Sequence, residues 1–101
     1  MQIEDMAHNA EQAEQLLKMM ANKNRLMILC SLLQGEMSVT QLNESIPLTQ
    51  SALSQHLAAL RKAECVATRR DAQTIYYRLT DPKVEAILQQ LYQLFCQPGE
   101  K

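Results

Sequence analysis

Leu48-TQSALSQHLAALRKAECVATRRDAQTIYYRL-Thr80 holds two periodicities, one directly after the other. From Thr49 to Lys62 the apolar residues recur at helical spacing. Leu53, Leu57 and Leu60 share one face of the wheel, with Ser51, Ser54, Gln55 and Ala58 opposite. Thr49 stands where a helix cap belongs. From Cys65 to Arg70, and again from Thr74 to Leu79, the pattern changes to period two in residues that favour strands. Asp71-Ala72-Gln73 is the polar joint between these runs. The stretch predicts a short amphipathic helix followed by a β-hairpin tipped by Arg69, Arg70 and Gln73.

Working outward, Ser38-Val39-Thr40-Gln41 matches the capping-box pattern and predicts a short helix at about 39–45, with Pro47 interrupting before the next. Two short helices, a tight turn and an immediate hairpin form the order of elements in a winged helix-turn-helix. There one helix enters the DNA major groove and the hairpin covers the flanking backbone. Pattern alone also admits a pair of ordinary core helices. Further upstream, Ala10, Ala13, Leu16, Leu17 and Met20 predict a helix over Ala7 to Met20. Asn22 or Asn24 caps a second helix that ends at Gly35. Downstream, Asp81-Pro82 starts a last helix with a wide stripe of Val84, Ile87, Leu88, Leu91, Leu94 and Phe95, and Pro98-Gly99 closes the chain. The expected fold is mainly α with a β-hairpin wing, in the order α-α-α-α-β-β-α. It forms a single domain over 1–101, with a helix-turn-helix at about 38–62, a wing at about 65–79, and end helices at about 7–20 and 82–96.

The chain has 101 residues, 47% of them apolar, too many for a disordered chain. A core of this size is small, which favours closing the spare apolar stripes by dimerisation. No apolar run reaches membrane-span length, and MQIEDMAHNAEQ lacks a basic start and an apolar stretch, so the expectation is a cytoplasmic protein with no membrane partner. Net charge is −1, yet residues 61–78 carry Arg61, Lys62, Arg69, Arg70 and Arg78 against Glu64 and Asp71, a local balance of +3. Phosphate contact depends on that local field rather than on the total. An ordinary solvated face is the alternative reading of the same charges. Three cysteines do not suggest a disulfide framework and leave buried thiols, metal ligands or redox sensing.

LSQHLAALRKAECVATRRDAQTIYYRL (53–79) is similar to the recognition helix and wing of the ArsR/SmtB family of small bacterial repressors. Their usual run is S-x-H-L-x-x-L-R-x-A-G-L-V followed by a basic hairpin ending in Y-x-L. LLKMMANKNRLMILCSLL (16–33) resembles the same family's leucine-rich run with an A-N/D-x-x-R-L-x-I-L core. The resemblance covers about residues 10–96. It implies a homodimer paired through the first and last helices, bound to a palindromic double-stranded operator and blocking transcription. By position it assigns DNA contact to Thr49, Gln50, Ser51, Ser54 and Gln55, whose small and amide side chains suit base edges. Arg69, Arg70 and Gln73 are assigned to phosphate or minor-groove contact, with Arg61 and Lys62 as weaker phosphate candidates. His56 falls with the leucines on the buried side and reads as structural. One departure stands out: the family's Gly-Leu is Glu64-Cys65 here. Glycine supplies the positive φ of a helix C-cap, so either Glu64 strains this corner or the turn differs.

Metal-sensing members of the family use a Cys-x-Cys in the third helix or Asp/His ligands along the last. Here Met37-Ser38-Val39-Thr40-Gln41 has no cysteine. The last helix has no histidine and only Glu85 as carboxylate. Neither His8 nor His56 falls beside two cysteines, so no metal or other cofactor is expected. The surroundings of two cysteines, RLMILC ending at Cys30 and LYQLFC ending at Cys96, resemble the persulfide- and thiol-sensing branch. The resemblance implies that Cys30 and Cys96 lie close within one subunit. Reactive sulfur or another oxidant, acting as inducer, would bridge them by a disulfide or polysulfide and relieve repression. A sensing thiol calls for exposure and a lowered pKa. Cys65 reads as a small buried hydrophobe.

Two other functions compete. The same fold can act without an inducer, as an anti-repressor displacing another DNA-binding protein. A winged helix can also bind only protein, which predicts partner binding insensitive to salt. An enzyme is not expected, because two histidines on separate helices assemble no nucleophile, base and orienting group.

Overall fold

The computed structural model describes residues 2–96, so the expected stop at Pro98-Gly99 lies outside the described residues. The elements are α1 (Ile3–Met20), α2 (Lys23–Leu32), β1 (Met37–Ser38), α3 (Val39–Ser45), α4 (Gln50–Lys62), β2 (Val66–Asp71), β3 (Thr74–Leu79) and α5 (Pro82–Phe95). This is the expected winged helix-turn-helix with one strand more. Local chemistry sets most boundaries. Asn22, not Asn24, caps α2 by accepting from the backbone N–H of Asn24 and Arg25, both at 3.0 Å. Ser38 and Gln41 form both halves of a capping box on α3. Thr49 accepts from the Ala52 N–H at 3.1 Å. Asp81 caps α5, with Pro82 at its first position. The turn between α3 and α4 is pinned by Asn43, whose side-chain amide donates to the Leu48 carbonyl at 2.9 Å.

Three boundaries differ from expectation. First, α1 starts at Ile3, a full turn before Ala7. Nothing in Ile3–Met6 breaks a helix, and Glu4 and Asp5 suit the positive end of the helix dipole. Second, the hairpin loop is the two residues Ala72-Gln73, because Asp71 pairs with Thr74 across the strands. Ala72 takes the positive φ of 58° that so tight a loop demands. Third, Met37–Ser38 adds a strand that pairs antiparallel with β3, giving the sheet order β1-β3-β2.

One buried cluster holds these elements together. α2 supplies Ile28, Leu29 and Leu32; α3 and its end supply Leu42 and Ile46; α4 supplies Leu53, Leu57 and Leu60; and α5 supplies Val84 and Leu88. Each such side chain contributes about 1.5–3 kcal/mol by leaving water. α1 buries only Met20 among its described residues, with Leu16 and Met19 packed against the cluster. Its Ile3, Met6 and Leu17, and Tyr92, Leu94 and Phe95 of α5, stay exposed, Phe95 to 79%. The radius of gyration, 15.2 Å, exceeds the roughly 13 Å of a sphere-like chain of this length, so the chain is elongated.

The corner between α4 and β2 settles the question raised by Glu64. The Cys65 N–H donates to the Leu60 carbonyl at 3.0 Å and the Glu64 N–H to the Arg61 carbonyl at 2.9 Å. That pair of bonds is a Schellman motif, and Glu64 sits at its left-handed position with φ 63°. The turn is kept, and Glu64 takes the left-handed backbone that glycine takes in the family. Leu60 and Cys65, both buried, supply the apolar contact that accompanies the motif.

Candidate nucleic-acid interface and cysteine pair

Helix α4 divides cleanly. Leu53, Leu57 and Leu60 are buried, while Thr49, Gln50, Ser51, Ser54, Gln55 and Ala58 are exposed. The anchoring leucines fix which side chains face outward, so the five polar residues expected to meet DNA form one accessible face. Arg61 and Lys62 are also exposed, at the C-terminal turn where cations complement the helix dipole. With Ser54, Ala58, Val39 and Tyr77 they line a shallow groove of about 470 Å³ between α4 and the wing. His56 is half-buried, and its Nδ1 accepts from the Arg25 Nε–H at 3.4 Å, while Arg25 also donates to the Met19 carbonyl at 3.2 Å. It ties α4 to α2, in keeping with a structural histidine.

The two wing arginines are not equivalent. Side chains alternate across a strand. Arg70 shares its face with Val66, Tyr77 and Leu79, which pack on the core at the wing root. Arg69 lies on the opposite face, across from Tyr76. Its Nε and Nη2 donate to the two Glu36 oxygens at 3.3 and 2.5 Å, and its guanidinium carbon stands 4.5 Å from the centroid of the Tyr76 ring. The Arg69 hydrogen bonds hold the Glu36 carboxyl below the usual range, with the Arg69 and Arg78 charges acting in the same direction. Two of the Arg69 donors are therefore engaged by Glu36, a partner that a phosphate on this edge of Arg69 has to displace. Arg70 and Gln73 are exposed at the tip, and Arg70 makes no ion pair among the described residues. Sequence reasoning missed Glu36 because it lies 33 positions from its partner, with no local pattern to mark it.

Cys30, near the end of α2, and Cys96, at the cap of α5, are exposed free thiols. Desolvation pushes the Cys30 pKa up, and the charge of Cys96 pushes it further the same way. Two conclusions follow. The charge of Cys96 bears on Cys30, and Cys30 departs from the expected lowered pKa. Cys65 is buried, its Sγ within 3.7 Å of the Met19 sulfur and 3.8 Å of the Ala63 carbonyl; desolvation and then Asp81 raise its pKa. Among the described residues no group of three or more His, Cys, Asp or Glu gathers to hold a metal ion, and no helix is long and apolar enough to cross a membrane.

Residues 22–68 match the family model of the bacterial regulatory protein, arsR family. The transcriptional activator HlyU of Vibrio cholerae is 47% identical over 100 residues, covering 99% of this chain and 93% of its own. The biofilm growth-associated repressor of Agrobacterium fabrum is 43% identical over 95 residues, covering 94% and 81%. The solved structure of reduced HlyU from Vibrio cholerae N16961 superposes with a TM-score of 0.90 at 48% identity, covering 94% of this chain and all of that one.

Proposed function

We propose that this chain, which belongs to the arsR family of bacterial regulatory proteins, represses transcription as a homodimer on a palindromic operator and lets go when Cys30 and Cys96 are bridged. Family members are regulators that bind DNA through this helix-turn-helix, so the chain is a DNA-binding transcriptional regulator and not an enzyme. The observation that carries the reading is the exposed polar face of α4 beside the groove and the wing. Ser54 and Gln55 are assigned to base edges, and Thr49, Gln50 and Ser51 to the entry of the helix into the groove. Arg61, Lys62, Arg70 and Gln73 are assigned to the backbone. The apolar residues exposed on α1 and α5 are the dimer surface.

The switch is supported by the exposure of both thiols, by the bearing of the Cys96 charge on Cys30, and by the solved structure of a relative, reduced HlyU. In a reducing cytoplasm the pair rests as thiols. A thiolate takes the outer sulfur of a persulfide RSSH, leaving RSH and a cysteine persulfide. The second cysteine then attacks the inner sulfur, forms the disulfide and expels H₂S. When a second RSSH also persulfidates the other cysteine, leaving RSH, one cysteine persulfide attacks the inner sulfur of the other to form a trisulfide and expel H₂S. With peroxide the first product is a sulfenic acid, and the disulfide forms with loss of water. The bridge ties α2, which lies in the core, to α5, which serves the dimer. A shift of the two reading heads against each other then weakens operator binding by the ~1–3 kcal/mol typical of allosteric coupling.

The test treats reduced protein separately with an organic persulfide and with peroxide, then combines intact mass, peptide mapping and operator binding. A Cys30–Cys96 bridge that lowers operator affinity is expected, with C30S and C96S unresponsive. Operator release without a bridge, or a bridge without release, contradicts the switch. The second reading, an anti-repressor, is favoured by one relative being called an activator and another a repressor. Transcription of an operator template in vitro separates them: a repressor lowers it alone, and an anti-repressor has no effect until the displaced protein is added.

A further inference from the structure

We propose that Glu36 is a specificity-determining residue of the DNA interface, filling the Arg69 fork where a backbone phosphate would sit and so limiting sequence-independent attraction to DNA. This rests on the reading that the wing lies along the backbone.

Arg69 presents its Nε–Nη2 edge to one anion at a time, and carboxylate and phosphate fit that edge alike. In the structure the anion is Glu36, held through two donors, with the guanidinium laid on Tyr76. Asp71 adds a second negative charge beside Arg69. On this face of the wing, Glu36 and Asp71 thus offset Arg69 and Arg78, whereas Arg70 on the other face keeps its charge. The position of Glu36 is fixed by the sheet. β1 begins at the next residue and pairs Met37 with Tyr77, which brings the carboxylate off the strand end beside the outer face of β3. The carboxyl lies below the usual range, so it stays charged wherever DNA is bound. The fork is released by exchange for a phosphate, not by protonation. Each nonspecific site must displace Glu36 to gain that contact. An operator held by base contacts from α4 depends on it less.

The experiment measures anisotropy of a labelled random-sequence duplex across a salt series for wild type, E36Q, E36Q/R69A and R70A. Glutamine keeps size and polarity, and thermal unfolding checks that each variant folds. One phosphate contact changes the slope of log K against log salt by about 0.9 and tightens binding about eightfold at 0.1 M salt. E36Q is expected to show that change for each wing engaged, and adding R69A to E36Q is expected to abolish it. An unchanged or weaker E36Q overturns the proposal. So does a gain that survives in E36Q/R69A, since Glu36 would then act by plain repulsion. R70A separates the two levels. A shallower R70A slope with no E36Q effect refutes the role of Glu36 alone, and no effect from either refutes the wing reading as well.

Discussion

Replacing Glu64 by glycine should make the protein more stable. Glu64 occupies the left-handed position of the Schellman turn, φ 63°, between the reading helix and the wing. An L-residue with a Cβ is disfavoured there by about 1–2 kcal/mol. Glycine removes that cost but has more freedom to lose on folding, about 0.5–1 kcal/mol. The net gain is about 0.5–1 kcal/mol. For a chain of this size that raises Tm by roughly 2–8 °C. The hydrogen bonds of the motif are all backbone and survive the change, as does the bond from the Thr80 hydroxyl to the Glu64 carbonyl at 3.2 Å. Thermal unfolding by circular dichroism, at one fixed protein concentration in case assembly contributes, compares wild type, E64G and E64A. Alanine keeps the Cβ and should stay within about 0.5 kcal/mol of wild type. If E64G is no more stable than E64A, the corner is not strained and the reasoning fails.

Three further outcomes are expected. Ser54→Ala and Gln55→Ala should weaken operator binding more than random-sequence binding, and equal losses in a competition assay remove them from base readout. Because the Cys30 pKa is raised above that of an ordinary thiol, its thiolate fraction, and with it the rate of Cys30–Cys96 bridging in quenched-flow mass analysis, should climb about tenfold per pH unit through neutrality. A flat profile excludes the Cys30 thiolate from the slow step. Leu94→Asp with Phe95→Asp should shift the protein to monomer in analytical ultracentrifugation while leaving the core residues untouched, and an unchanged dimer moves the interface elsewhere.

What was legible in the sequence was what short-range chemistry controls. Ser38, Thr49 and Asp81 announced their helices because a capping side chain acts within three residues. The leucines of α4 announced the polar face because helical spacing leaves it only one place to be. Strand β1 was invisible: two residues show no alternation, and Ser38 already had a reading as a cap. The early start of α1 was hidden because Ile3 and Met6 are exposed and leave no burial pattern. The pairing of Arg69 with Glu36 and the rise of the Cys30 pKa depend on neighbours brought together only by folding, so neither was legible in the sequence.

Ser38 does two jobs at once. It is a strand residue opposite Tyr76, and its hydroxyl accepts from the Gln41 N–H at 3.1 Å to start α3. The joint between sheet and helix-turn-helix is therefore a single amino acid with no slack on either side. Strand β1 and helix α3 cannot swing independently, and in the switch proposed above a signal from the end helices would have to reorient the whole head as one lever. In the proposed homodimer such a device would change the spacing and tilt of two heads and leave the grip of each unaltered. Its output should thus depend on the spacing between half-sites: one inserted base pair in the operator would mimic or cancel the signal.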